Sequence, residues 1–128
     1  MKKIFFAVMF VVLTVTQNCA AEDIWVAHWN SYNIDLYAIE DTITSDITDI
    51  GYRQFTVSTK VVKDGQLQQI IEWTFSKYKN DMWRYETNMM DDLRTTIVIP
   101  RNVVFEFCMD KIGWSYVIKD DHGIKWYY

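Results

Sequence analysis

The sequence predicts an α+β fold that is mostly β, in which an antiparallel meander sheet carries one packed helix from the C-terminal half of the chain. Stretches of alternating and β-branched residues follow one another and are separated by turn residues. An Asp64-Gly65 pair, typical of tight hairpin turns, divides two of these stretches. Residues 100–113 instead carry apolar side chains at helical spacing.

Residues 1–21 have the three parts of an export signal. Two lysines form a basic start, an apolar run spans residues 4–15, and small residues precede Glu22. A helix over that run is about 18 Å long, shorter than a hydrocarbon core of about 30 Å, so it does not predict a transmembrane anchor. We expect cleavage after Ala21 and export to the periplasm, the cell surface or the extracellular space; a buried helix is the alternative. Residues 22–128 are then a single small β-rich domain.

Charge and composition argue against several classes of protein. The predicted signal contains two of the 13 Lys and Arg residues and none of the 17 Asp and Glu residues, so its removal changes the net charge from −4 to −6. An acidic chain does not favour a nucleic-acid partner, which requires a basic surface. The chain has 21 aromatic residues but only four Gly and one Pro, which argues against disorder and low-complexity linkers.

The cysteine count depends on where the signal is cut. If Cys19 leaves with the signal, Cys108 is alone and no intramolecular disulfide can form. A lipid-modified Cys19 is the alternative, but the three polar residues before it do not resemble a lipoprotein processing site. Cys108 lies among Phe105, Phe107 and Met109, which favours a buried thiol.

The mature chain begins with a predicted hairpin. Residues 24–29 and 32–39 have strand patterns, and Asn30 and Ser31 connect them. Residues 41–50 are polar and rich in Asp and Thr, and we expect a loop there.

A three-stranded meander follows, formed by residues 52–62, 66–75 and 82–87. Turns at 64–65 and 79–81 connect its strands. Alternation assigns side chains to one face of each strand. The residues assigned in this way are Phe55, Val57, Thr59 and Val61 on the first strand, Leu67, Ile71, Trp73 and Phe75 on the second, and Trp83, Tyr85 and Thr87 on the third.

The rest of the chain predicts a short strand over 95–99, a helix and a closing hairpin. Pro100 fits the first turn of the helix and Gly113 fits its end. A strand is the alternative for this segment, because its residues also alternate. The apolar face of the helix is predicted to comprise Val103, Val104, Phe107, Cys108 and Ile112. Residues 114–119 and 124–128, with a turn at 120–123, form the predicted closing hairpin.

Catalytic and metal-binding motifs are missing from the sequence. The two histidines, His28 and His122, are not at a metal-ligand spacing from each other or from a cysteine. The chain has no nucleophile motif, no Gly-rich phosphate loop and no calcium-loop spacing. We therefore predict a protein that is not an enzyme and that uses no metal and no cofactor.

Aromatic residues are the best candidates for a binding surface. Consecutive strand residues point to opposite faces, so Trp126, Tyr127 and Tyr128 can all be buried only if both faces of the sheet are covered. Exposed Trp and Tyr side chains offer large, rigid contact areas to a protein or a glycan. A helix or second sheet over the other face is the alternative. The candidate binding residues are Trp29, Tyr37, Trp83 and Trp126.

Short motifs carry a resemblance to a known family. Asp23-Ile24-Trp25-Val26 follows the signal, Tyr32-Asn33-Ile34-Asp35 forms a Tyr-x-Ile-Asp strand, and Thr42-Ile43 and long meander strands follow. This layout resembles the surface-adhesin protein E type of small exported bacterial proteins. The resemblance implies an antiparallel sheet with a helix packed on it, export to the cell envelope, and binding of host proteins.

These observations leave three functional hypotheses. The first is a non-enzymatic envelope or surface protein that binds a protein or glycan partner. The second is a small exported glycan or cell-wall hydrolase that uses a carboxylate pair such as Glu86 and Asp91. The third is a periplasmic inhibitor or immunity-type protein, for which the net charge of −6 suggests a basic partner.

Overall fold

Six antiparallel strands form the main sheet and follow one another in chain order. The computed structural model describes residues 23–90 and 94–128, so the predicted export signal lies outside the described residues. The strands are β1 (Asp23–Trp29), β2 (Ile34–Ile47), β3 (Tyr52–Lys63), β4 (Gln66–Tyr78), β5 (Arg84–Thr87) and β6 (Thr96–Ile97). The predicted meander is confirmed, and it extends to the strands on either side.

One helix and a separate hairpin complete the fold. Helix α1 (Val103–Ile112) follows β6, and β7 (Ile118–Asp121) pairs with β8 (Ile124–Tyr127). The helical prediction for this segment is confirmed over the strand alternative, and so is the α+β, mostly β fold class. The closing hairpin is shorter than predicted, since residues 114–117 are not in a strand. Within the described part of the chain, no helix is long and apolar enough to cross a membrane.

The predicted loop over residues 41–50 is wrong for most of its length, because β2 continues to Ile47. The pairing with β3 shifts register between Ile39 and Thr44. The Thr42 hydroxyl bridges this irregularity, because its Oγ1 donates to the Ile39 carbonyl at 2.6 Å and accepts from Ser58 N–H at 2.9 Å. The polar composition that suggested a loop therefore supplies the hydrogen bonds that carry the strand through a bulge.

The prediction for Leu67 is also wrong. A register shift near Val62 places Leu67 opposite Val62, whereas Ile71 lies opposite Thr59. The bulge inserts one residue and reverses the alternation beyond it, so Leu67 lies on the other face of the sheet from Ile71. Its side chain is 55% exposed.

The core lies between one face of the main sheet and α1, and we call this face the helix face. Aromatic rings fill its centre, with ring centroids 4.8 Å apart for Phe55 and Phe75 and 4.4 Å apart for Phe105 and Tyr127. The buried core residues are Leu36, Phe55, Val57, Phe75, Trp83, Val98, Val104, Phe105, Cys108, Met109 and Tyr127. Burial raises the pKa of the Cys108 thiol to about 12, consistent with a structural cysteine.

Helix α1 has a hydrogen-bonded cap at each end. Asn102 is the N-cap, and its side chain accepts from Phe105 N–H at 3.0 Å. Gly113 is the C-cap with φ of 87°, a left-handed conformation that favours glycine, as predicted. Pro100 lies before the cap and not in the first turn, contrary to the prediction.

The buried stripe of α1 differs in part from the predicted one. Its buried residues are Val104, Phe105, Cys108 and Met109. Phe105 turns inward because its ring packs against the aromatic cluster of the sheet. This orientation leaves Val103 41% exposed and Phe107 and Ile112 at the edge of the core.

Candidate functional site

A cleft of about 370 Å³ opens on the helix face, between the sheet and the first residues of α1. We call it the apolar cleft. Its walls come from four neighbouring strands and from the segment that leads into the helix. The lining residues are Ala27, Trp29, Leu36, Val61, Ile71, Trp73, Arg101, Asn102, Val103 and Val104.

Strand register explains why the apolar side chains meet there. Ala27 of β1 lies opposite Leu36 of β2, and Leu36 lies opposite Val61 of β3. Residues that face each other across antiparallel strands point to the same face of the sheet. The three side chains therefore form a continuous apolar floor, and Trp29 extends it at the end of β1.

Trp73 presents its ring to the cleft in a fixed orientation. Its Nε1–H donates to Thr59 Oγ1 at 3.0 Å, so the polar edge of the indole is satisfied inside the protein. Its ring stacks on that of Phe75, with centroids 5.7 Å apart. The rest of the indole is then available as an apolar surface.

The helix side of the cleft is held by a buried hydroxyl. Tyr127 Oη accepts from the Asn102 N–H at 2.8 Å and donates to Glu106 Oε2 at 2.5 Å. Burial, followed by the hydrogen bond to Glu106, raises the pKa of Tyr127 above its ordinary value. The hydroxyl stays protonated and anchors the segment that positions Arg101 and Asn102.

Arg101 is the one charged residue among the described residues that line the cleft. Its Nη1 donates to Glu106 Oε1 at 2.8 Å, and its side chain is 69% exposed. A guanidinium has five N–H donors, so this contact leaves donors for an acceptor on a partner. The cleft thus combines an apolar interior with guanidinium N–H donors at its edge.

The structure does not bring the four predicted binding residues together. Trp29 lines the apolar cleft and is 48% exposed. Tyr37 lies on the opposite face of the sheet, beside the Lys60–Asp23 ion pair, and Trp126 is half-buried in β8. Trp83 is 1% exposed and packs against core rings, so a partner at the surface does not reach it.

Of the ten described residues that line the cleft, only Trp29 was among the sequence-based binding candidates. Alternation assigned Trp73 to one face of its strand with Ile71 and Phe75, and the structure confirms that these three residues share a face. Val103 was assigned to the apolar face of the helix, whereas Arg101 had no signal of its own, because its position depends on how the start of α1 meets strands far away in the chain.

On the face of the sheet away from α1, a small polar cluster surrounds Asp35. Trp25 Nε1–H donates to Asp35 Oδ1 at 3.0 Å, and His28 Nδ1 lies 2.7 Å from the same oxygen. The hydrogen bond from Trp25, and then that from His28, lowers the pKa of Asp35. This contact engages Nδ1 of His28 locally, in keeping with a structural role.

The hydrolase hypothesis involves two carboxylates. Glu86 lies in β5, and Asp91 lies outside the described residues. Within the ranges 23–90 and 94–128, no group of three His, Cys, Asp or Glu side chains is arranged to hold a metal ion.

Comparison of the chain with protein-family models, with curated proteins and with solved structures finds no match in any of the three. The resemblance to the surface-adhesin protein E type therefore stays a prediction from sequence motifs. The geometry of the apolar cleft provides the remaining basis for a functional argument.

Proposed function

We propose that this chain is an exported, non-enzymatic binding module of the bacterial envelope, and that its apolar cleft binds a segment of a partner protein. The observation that carries the proposal is the cleft itself. Apart from Arg101 and Asn102, its lining residues are apolar, and two tryptophan rings are among them. Its volume of about 370 Å³ falls within the range of ligand-binding pockets.

The chemistry of the lining favours a peptide over a glycan. Sugar hydroxyls require several hydrogen-bonding partners, whereas the Asn102 side-chain oxygen and main-chain N–H are already engaged by Phe105 and Tyr127. An apolar side chain fills the interior without leaving polar groups unpaired. A neighbouring carboxylate on the same segment meets the free donors of Arg101. The expected ligand is therefore a segment with a large apolar residue next to Asp or Glu.

The same lining gives less support to the other two hypotheses. Glycoside hydrolysis requires two carboxyl groups beside the scissile bond, and no carboxylate lines the described part of the cleft. A basic partner, as expected for an acidic inhibitor, finds no carboxylate among the described residues that line the cleft.

Selection of a phage-displayed random peptide library on the folded protein tests the binding site. We expect enriched peptides to carry an aromatic or branched apolar residue adjacent to an acidic one. Val103→Lys and Trp29→Ala are each expected to weaken binding of a selected peptide by about tenfold or more, because they introduce a charge into the cleft or remove apolar contact area. Fluorescence anisotropy with the labelled peptide measures the effect.

Ile50→Lys is the matched control. Ile50 is an exposed isoleucine before β3, whereas Val61 of the cleft lies towards the other end of that strand. Replacement of Ile50 by lysine adds the same charge as Val103→Lys and should leave the affinity for the peptide unchanged. Selected peptides that bind the Val103→Lys and Trp29→Ala variants as tightly as the unaltered protein would contradict the proposed site.

Export is tested by the intact mass of the protein from fractionated bacteria that express the full chain, with and without protease treatment of intact cells. We expect a species that begins at Glu22, because cleavage after the small residue Ala21 removes the predicted signal. Loss of that species on protease treatment supports a surface location, and its protection supports the periplasm. Recovery of the uncleaved chain from the cytoplasm would contradict export.

A further inference from the structure

A second pocket, of about 310 Å³, lies at the other end of the helix face and is bordered by cations. Lys77, near the end of β4, and Lys119, of β7, line it together with Asn80, Ser115, Tyr116 and Tyr128. We call it the basic pocket. The two sites lie at different positions along β3. The apolar cleft includes Val61, whereas Lys77 of the basic pocket pairs with Arg53 at the start of the strand. At about 3.3 Å per residue, the two sites are roughly 26 Å apart along β3.

Two of the cations face each other directly. Arg53 of β3 lies opposite Lys77 of β4, and the neighbouring pair on the same face is Phe55 and Phe75. Both side chains therefore point to the helix face, where the Arg53 guanidinium lies 5.6 Å from the centroid of a Trp114 ring. Like charges at directly opposed strand positions destabilise a sheet. This arrangement has an energetic cost that a bound anion would offset.

Lys119 adds a third positive charge from a separate element. Its Nζ lies 4.7 Å from the centroid of the Tyr128 ring, which holds the ammonium at the pocket. Burial lowers the pKa of Lys77, and the charges of Arg53 and Lys119 lower it further, while Asp81 acts in the opposite direction. Two cations thus line the pocket, and a third, Arg53, lies opposite one of them.

These cations differ from Lys60 and Lys111 in their ion pairing. Lys60 and Lys111 have carboxylate partners at 2.6 Å and 2.9 Å. In contrast, no described side-chain carboxylate forms an ion pair within 4.0 Å of Arg53, Lys77 or Lys119. Tyr128 also borders the pocket, and its main-chain oxygen accepts from Val117 N–H at 3.0 Å.

We propose that the basic pocket binds a phosphate group, with Lys77 and Lys119 as the cations that line it and Arg53, opposite Lys77, as a neighbouring positive charge. A phosphate monoester carries close to two negative charges and several acceptor oxygens, which matches a site with more than one cation. Asn80 and Ser115 line the same volume and offer further hydrogen-bond donors. The phosphate belongs either to a free or soluble compound or to the headgroup of a lipid.

Titration of the ¹⁵N-labelled protein with inorganic phosphate, at constant ionic strength, tests this site. We expect saturable shifts of the Asn80 and Ser115 amide resonances. Lys77→Gln and Lys119→Gln are each expected to weaken binding by about tenfold, since each removes a charge that contacts the anion. Lys63→Gln is the matched control, because it removes an equal charge at the other end of β3 and should leave the affinity within about twofold.

Thermal unfolding provides an independent measurement. Phosphate should raise the melting temperature of the unaltered protein more than that of Lys77→Gln, because only a ligand of the folded state stabilises it. Without phosphate, Lys77→Gln should unfold at the same or a higher temperature than the unaltered protein, because the repulsion with Arg53 is gone. Such a result would show that the weaker phosphate binding of Lys77→Gln is not caused by unfolding of the variant.

Sedimentation with vesicles separates the two sources of phosphate. If vesicles of phosphatidylcholine with phosphatidic acid sediment the unaltered protein but not Lys77→Gln, the lipid headgroup is the ligand. If inorganic phosphate binds and the vesicles do not, the ligand is a free or soluble phosphate. Absence of saturable shifts with both probes, or an equal response of the Lys77→Gln, Lys119→Gln and Lys63→Gln variants, would overturn the proposal.

Discussion

Replacement of Phe105 by alanine is expected to lower the free energy of unfolding by about 3–5 kcal/mol, the range found for large aromatic residues removed from cores. Phe105 is fully buried at the point where α1 meets the sheet. Its ring lies 5.6 Å from that of Phe75, 5.3 Å from that of Trp83 and 4.4 Å from that of Tyr127. The rigid neighbouring rings cannot collapse into the space, so a cavity remains. Urea denaturation measures the loss.

Phe107→Ala is the matched control for this experiment. Phe107 lies on the same helix and loses the same atoms, but it is only partly buried at the edge of the core. The expected loss is less than about 2 kcal/mol, because less apolar area leaves water on folding and solvent fills the space. Equal losses for the Phe105→Ala and Phe107→Ala variants would show that the core is not centred on Phe105.

The second large effect is expected for Tyr127→Phe, which removes a single oxygen atom. That oxygen accepts from Asn102 N–H and donates to Glu106 Oε2. Its loss leaves a donor and a carboxylate without their partner in a partly buried place, at a cost of about 1–3 kcal/mol. We expect lower stability in urea denaturation and faster hydrogen exchange of the Asn102 amide.

Tyr128→Phe serves as the comparison for Tyr127→Phe. Tyr128 is the next residue and is half-buried, and its ring contacts Lys119, an interaction that phenylalanine can retain. The change in unfolding free energy should stay within about 0.5 kcal/mol. If Tyr127→Phe lowers the free energy of unfolding no more than Tyr128→Phe does, the Tyr127 hydroxyl does not anchor the start of α1.

Local signals were sufficient to predict the order of the elements. Asp64-Gly65 forms the turn between β3 and β4, and both residues have positive φ, at 52° and 79°. Gly113 ends α1 in a left-handed conformation, and the preceding residues have helical spacing. These features involve residues close together in the chain, so their geometry follows from backbone sterics and side-chain alternation.

Predictions that depended on register were less successful. Leu67 was assigned to the face of Ile71, but a bulge reverses the alternation between them. Residues 41–47 were assigned to a loop, but the Thr42 side chain of β2 bonds to the backbone and continues the strand. A bulge is decided by pairing with the neighbouring strand, which the pattern of one strand does not reveal.

The candidate site shows the same division. The abundance of aromatic residues made both Trp29 and Trp83 candidates for a binding surface. In the structure, Trp29 borders the apolar cleft, whereas Trp83 is in the core. Alternation states which residues share a face, but not which ring another element will cover. Arg101 reaches the cleft because Tyr127, 26 positions later in the chain, holds the neighbouring Asn102.

The amino-acid sequence by itself determined the fold class, the order of the strands and the end of the helix, since alternation, turn residues and capping act over short distances. Tertiary structure alone decided which aromatic rings are covered, where the apolar cleft lies and why Arg53 faces Lys77. The physical reason is that burial and cross-strand pairing depend on contacts between residues far apart in the chain, and such contacts have no local signature.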